Sequence, residues 1–248
     1  MRKGYLSVFI FLLTGLCVTV TTAAETMEQA DALYQQGERQ SYRQAIGIYE
    51  ALLNTTPDDF ELNWKCARAY REFAETAKKN QIDGWKKICA EYGKKGMQYA
   101  SSARARKPDH PAGYYFYGLN VGIYSDGTSI LTALKEGLKD KTQKSFEKAY
   151  ELDKMYEDAG SILALGRFWA VLPWPLTNKK KSLAYYREYQ QTPFFQQRDE
   201  GKVYLAELLI SLGGKANKAE AKQILQQAIL TDDIYFSNWA RRLMEKIK

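Results

Sequence analysis

What most limits the folds open to this chain is one spacing that recurs along it. Tyr114, Tyr117, Gly118 and Val121 sit at intervals that line one face of a helix, and Ile162, Leu165, Gly166 and Trp169 repeat the same intervals further on. In both sets a glycine occupies the position where a second helix must come close, because any larger side chain there would hold the two axes apart. A chain that repeats such a contact is committed to stacked pairs of helices, each unable to bury its apolar face alone. The aromatic stretch "YYFYGLNVGIY", Tyr114 to Tyr124, is therefore expected to be mostly packing between helices.

The same pattern opens the chain. In "ADALYQQGERQSYRQAIGIYEALLNTTPDD", Tyr42, Ala45, Tyr49 and Pro57 supply an aromatic, a small close-approach residue, an aromatic wedge and a proline beyond the second helix. These offsets resemble the tetratricopeptide repeat family over about thirty residues, which implies helical hairpins stacked into a solenoid. A second hairpin joins "NWKCARAYREFAETA", with Ala67 and Tyr70 in the signature, to "GMQYASSARARKPDHP", with Gly96, Ala100, Ala103 and Pro108. The insertion "KKNQIDGWKKICAEY" between them predicts two helices longer than the usual repeat. A third hairpin pairs the Gly118 helix with "SFEKAYELDKMY", where Asp153 replaces the usual proline. A fourth pairs the Gly166 helix with "KKKSLAYYREYQQTP" across "VLPWPLTN", and a fifth runs from "GKVYLAELLISLGG" into "AEAKQILQQAILTDD". "YFSNWARRLMEKIK" reads as an amphipathic capping helix. The expected architecture is all-α: a solenoid of five hairpins and a C-terminal cap, forming one domain over residues 25–248.

The N-terminus reads as an export leader: "MRK", an apolar run from Tyr5 to Val20, and "TTAAE" with small residues before Glu25. Sixteen mostly apolar residues fall short of the ~20 needed to span a bilayer, so cleavage after Ala24 and a periplasmic or secreted mature chain are expected, with no stable membrane span. A lipid-anchored form is not expected, since Cys17 lies inside the apolar run and Leu16 stands where a lipid-attachment motif needs a small residue. Of the two remaining cysteines, Cys66 and Cys89 would miss alignment on antiparallel helices by ~9 Å at 1.5 Å per residue. That exceeds the ~7 Å between Cα atoms that a disulfide tolerates, although the position of the turn leaves the bridge open.

The chemical inventory argues against catalysis. The single histidine, His110, is wedged in "PDHP" and reads as an exposed spacer; nucleophile elbows, phosphate loops and zinc pairs are missing. "SDGTS" lacks the glycine pattern and lysine of a phosphate loop, and reads as a helix-initiating turn capped by Ser125 or Thr128. The aspartate pairs Asp58–Asp59 and Asp232–Asp233 read as turn formers rather than metal ligands. No cofactor or metal is expected. The net charge is +7 with the signs well mixed, and "KKK" at Lys179 to Lys181 reads as a solvated helix start, so nucleic acid is not an expected partner.

What remains is the concave face. First helices line it, and the repeat places Trp64, Arg68 and Arg71, then Tyr115 and Leu119, then Leu163 and Arg167, then Val203 on that surface. Arginines beside aromatic surface suit a carboxylate or a peptide terminus, since a guanidinium forks onto two oxygens. The alternative is that they pair with nearby acids such as Glu72 or Glu207.

Residues 112–190 also resemble the T component associated with tripartite ATP-independent periplasmic transporters, through Leu152, Asp153, Tyr156, Leu165, Gly166, Leu172 and Pro173. A similar arrangement occurs in the microtubule-regulator tetratricopeptide proteins. The family's paired glycines after "LP" are replaced here by "WPLTN". The expected function is an exported scaffold for a protein or peptide partner, possible settings being an envelope or solute-uptake assembly with a transporter's solute-binding component. The rival is a small-ligand carrier whose interior, built from Tyr115, Tyr117, Tyr124, Trp169 and Trp174, encloses an apolar molecule or organic acid.

Overall fold

A computed structural model describes residues 26–247; the leader and its cleavage point lie outside them. The helices α1 (Met27–Gln35) and α2 (Arg39–Thr55) form the first hairpin, and α3 (Phe60–Lys79) and α4 (Trp85–Arg106) the second. The third joins α5 (Pro111–Gly127) through the short α6 (Ile130–Lys135) to α7 (Leu138–Leu152), and α8 (Tyr156–Val171) with α9 (Lys179–Gln190) is the fourth. After α10 (Phe194–Gln197), α11 (Asp199–Leu212) and α12 (Lys215–Ala228) make the fifth, and α13 (Ile234–Glu245) caps the stack. Five hairpins and a cap are as expected, and α3 and α4, at 20 and 22 residues, are the longest helices described. None of the described helices is long and apolar enough to cross a membrane.

Close packing between α4 and α5 is carried by glycine. A methyl group built on Gly93 would lie 2.6 Å from the Tyr124 backbone nitrogen, and one on Gly113 would lie 2.4 Å from that of Arg104. At Gly118 and Gly166 the neighbours are the rings of Phe146 and Tyr186, each at 2.4 Å, so both predicted close approaches exist. Tyr115, Phe116, Tyr117 and Tyr124 are buried, as the packing reading of this stretch requires. Asn120, fully buried in the middle of it, donates from Nδ2 to the carbonyls of Ala67 and Phe116 and ties α5 to α3.

Two local expectations need correction, and one left open is resolved. The cap of α6 is Ser129, whose Oγ accepts from the Thr132 amide at 3.0 Å. Ser125 and Thr128 instead donate back to Val121 and Tyr124 carbonyls and close α5. His110 is not a free spacer: its Nδ1 accepts the Ala112 amide as the cap of α5, and its ring stands edge-on to Phe60 and Tyr156. Cys66 and Cys89 are both free and buried in separate clusters, which closes the question the spacing left open. Burial raises both thiols, Cys89 to about 12, so neither is a reactive thiolate.

Because helices alternate in direction, turns inside hairpins share one edge and turns between hairpins share the other. Lys78 bonds Asp126 at 2.8 Å and Lys179 bonds the Ser211 carbonyl at 2.8 Å, joining neighbouring inner turns. The two edges differ in charge. Four of the five first helices open with acids, Glu28, Glu61, Glu157 and Asp199, α5 being the exception, whereas α2, α4, α7, α9 and α12 open with Arg39, Lys86, Lys139, Lys179 and Lys215. Acids at a helix start complement the helix dipole and contribute about 0.3–1 kcal/mol, while cations there oppose it.

Candidate functional site

The concave face encloses a cavity of about 650 Å³ with two chemically distinct ends. One is apolar, walled by Val121, Ile130, Leu134, Phe146, Phe168 and Leu172 from α5 to α8 and the loop after it. The other is charged and aromatic, with Arg68, Arg71, Glu72 and Glu75 from α3 opposite Glu157, Arg198, Glu200 and Tyr204. Tyr34 of α1 and Trp239 of α13 both reach it, so elements from the two ends of the chain wall one space.

The predicted residues Arg68, Arg71, Tyr115, Leu119, Leu163 and Arg167 all line this cavity. Trp64 does not; it lies beneath Arg68, whose guanidinium is 4.8 Å from the Trp64 ring and 3.9 Å from that of Tyr34. Trp64 in turn stacks on Phe116 at 5.8 Å. Val203 is fully buried in the core between α11 and its neighbours, and the next residue, Tyr204, takes the cavity position. The rival aromatic interior is not assembled: of its five members only Tyr115 faces the space. Tyr117, Tyr124 and Trp169 are core, and Trp174 is 87% exposed.

The arginines divide by partner. Arg71 pairs with Glu72, and Arg167 bonds Glu207 at 2.6 Å while stacking 4.5 Å from the ring of Tyr204. These are the acids the sequence offered as alternatives to a ligand. Arg198 reaches Asp158 at 3.2 Å. Arg68 has no ion pair among the described residues, and its buried Nε has no hydrogen-bond partner. An aromatic sandwich fixes its plane, leaving a cavity cation with no acid in salt-bridge contact.

Facing Arg68 across the mouth is Glu157, in a left-handed turn at the start of α8, where Glu157, Asp158 and Ala159 have φ of 49°, 59° and 59°. Three consecutive non-glycine residues in this region cost roughly 1–2 kcal/mol each. The turn carries Gly160 against the Tyr115 hydroxyl, where a methyl group would lie at 2.3 Å, and holds Glu157 at the cavity wall. Burial raises the Glu157 carboxyl above its ordinary range, against the attraction of Arg68 and Arg198. Glu75 goes the other way: burial works to raise it, but Lys78 and Arg71 together hold it below the ordinary range. Tyr34, Glu157, Arg198 and Trp239 were not marked by the repeat pattern, since they sit in turns or on the first and last helices. The described residues hold no cluster of ligands suited to a metal ion.

A solenoid of stacked hairpins around a lined concave cavity defines a tetratricopeptide-type fold. Residues 26–180 match the family described as Regulator of microtubule dynamics protein 1-3, and the chain belongs to that family. It is 27% identical over 233 residues to Regulator of microtubule dynamics protein 1 of Mus musculus, covering 82% of this chain and 72% of the mouse protein. The Bos taurus protein of the same name is 28% identical over 202 residues, or 73% of this chain, which spans 59% of the bovine length. Among solved structures, a thermophilic TPR protein from Thermus thermophilus superposes with a TM-score of 0.63 at 17% identity, over 88% of this chain and 97% of that one. That likeness concerns the fold. The resemblance of residues 112–190 to transporter T components has no counterpart in these matches.

Proposed function

We propose that the protein is a non-catalytic scaffold whose cavity holds a segment of a partner protein, with a carboxylate on Arg68 and an apolar side chain in the chamber between α5 and α8. The observation that carries this is Arg68 itself, oriented by Tyr34 and Trp64, its buried Nε unpartnered and no acid among the described residues in salt-bridge contact with it, Glu157 facing it only across the mouth. A charge-assisted contact in such a place is worth roughly 1.5–3 kcal/mol. Arg68→Ala should therefore reduce partner capture in pull-downs from cell extract by about tenfold or more, while Arg167→Ala, already neutralised by Glu207, should lose little. Lys222→Ala serves as the outer-face control. Equal yields from wild type and Arg68→Ala would place the binding surface elsewhere.

The relatives are named for microtubule dynamics, which makes microtubules the first partner to test by pelleting, whereas the leader supports export to a compartment without them. Mass spectrometry of native protein separates the two: a chain starting at Glu25 supports export, and one retaining Met1 to Ala24 removes it. A second reading, a small-ligand carrier beside a solute-uptake transporter, is favoured by the apolar end of the cavity. Native mass spectrometry detecting a bound organic acid in purified protein would support it.

A further inference from the structure

The edge formed by the turns inside hairpins is unusual in two independent ways. Every second helix begins there with a cation, against the preference of its own dipole, and only α7 places an acid, Asp140, in its first turn. Residues 128–144 and 171–184, which cover α6, the loop after α8 and the start of α9, hold seven lysines against Glu136 and Asp140. Both acids are engaged, Glu136 by the Tyr124 hydroxyl and Asp140 by Lys139. Six of the seven are exposed, although Lys179 bonds the Ser211 carbonyl and Lys181 lies 4.4 Å from the centre of the Trp169 ring.

The second feature is apolar. Of the eight large apolar residues exposed among those described, five lie on this edge: Leu131, Val171, Trp174, Leu176 and Leu212, with Trp174 at 87% and Leu131 at 59%. The two segments carrying most of them are neighbours, because Ile130 and Leu134 of α6 share one hydrophobic cluster with Phe168 and Leu172. A tryptophan at a loop tip, aliphatic side chains beside it and lysines around it match the interfacial zone of a bilayer carrying negative headgroups. The indole and aliphatic groups enter the headgroup boundary while the ammonium groups stay among phosphates and carboxylates. An acidic protein or nucleic acid would use the lysines but gives no role to five exposed apolar groups.

We infer that this edge is a peripheral docking surface for an anionic lipid bilayer, with Trp174 and Leu131 inserting and Lys179, Lys180 and Lys181 supplying the charge attraction. This surface is separate from the Arg68 site and stands whether or not that site binds a protein. The test is co-sedimentation of the full chain with vesicles of phosphatidylcholine alone and of phosphatidylcholine mixed with phosphatidylserine. All variants share one N-terminal background, so the apolar leader contributes equally to every arm. The mixed vesicles should bind more tightly, and added salt should weaken that preference. Changing Lys179, Lys180 and Lys181 together to Gln should cost about a hundredfold on mixed vesicles, and Trp174→Ala about tenfold. Leu131→Asn is the second insertion variant, and circular dichroism checks each fold. The Trp174 contribution to fluorescence, taken as the difference between wild type and Trp174→Phe, should shift to the blue on binding. The inference is overturned by equal binding to both vesicle types, by an unshifted Trp174 signal, or by tight binding of polyglutamate or DNA that Trp174→Ala leaves unchanged.

Discussion

Arg68 is held as a plane as well as a charge. Tyr34 and Trp64 grip its guanidinium from either side, and each such contact is worth roughly 0.5–1 kcal/mol. Lysine would keep the charge but not the plane, so Arg68→Lys should rescue little of the partner capture lost in Arg68→Ala, measured by the same pull-down. Glu157 gives a second prediction, one of pH. Its folded carboxyl holds a proton more tightly than the unfolded chain does, because burial outweighs Arg68 and Arg198. The stability associated with the protonated form is thus present at low pH and is lost as pH rises through the unfolded and then the folded pKa. Glu157→Gln should raise the Tm by a few degrees near pH 7 and change it little below about pH 4, read by thermal melts across that range. Arg68 was legible in the sequence because a repeat assigns its position to the inner face. Its freedom from a partner was not, because pairing depends on which acids the neighbouring helices bring within reach. Glu157 was hidden for another reason: the left-handed turn that places it involves three residues with no glycine among them to mark it.

At the scale of helices, glycine separates contacts that only look alike in sequence. Gly93 faces backbone atoms of α5 that cannot move aside, so Gly93→Ala should cost about 1–3 kcal/mol by overpacking. Gly47 and Gly122 are also inside helices, yet a methyl group at either would meet nothing within 4 Å. There Ala removes backbone freedom from the unfolded chain without a clash, and Gly47→Ala or Gly122→Ala should gain roughly 0.5–1 kcal/mol. Chemical denaturation of the three variants measures both signs; a stable Gly93→Ala would contradict the close crossing of α4 and α5. The hairpin signatures at Ala45, Gly118 and Gly166 were readable because a repeat imposes the same small residue at each crossing. Gly93, Gly113 and Gly160 obey no such period, and their neighbours become visible only once the helices are placed. The inner position in the fifth hairpin moved by one residue, from Val203 to Tyr204, because α11 turns its most apolar face into the core shared with α12 and α13.

For the whole molecule, the solenoid curls until its last helix comes back to its second hairpin. The ammonium of Lys79 on α3 sits 4.6 Å from the ring of Phe236 and 5.5 Å from that of Tyr235, with Asp233 at 3.6 Å. No repeat spacing announces this meeting, since it joins residues far apart in the chain and is fixed by accumulated curvature. The ion pair and ring contacts described there come from Lys79, whereas the hairpins on either side are held by broad apolar packing. Their weight therefore falls on time more than on affinity. For an occupant that passes between α3 and α13, Lys79 must let go first, and the ammonium then contributes to the dwell time. In stopped-flow mixing with anilinonaphthalene sulfonate, an anionic group on an aromatic frame, Lys79→Ala should accelerate uptake and release by similar factors and leave Kd nearly unchanged. A shift confined to one of the two rates would mean that Lys79 touches the occupant directly. With both rates raised together, residence inside the protein becomes adjustable at a position remote from Arg68, and the lifetime of a complex is separated from its strength.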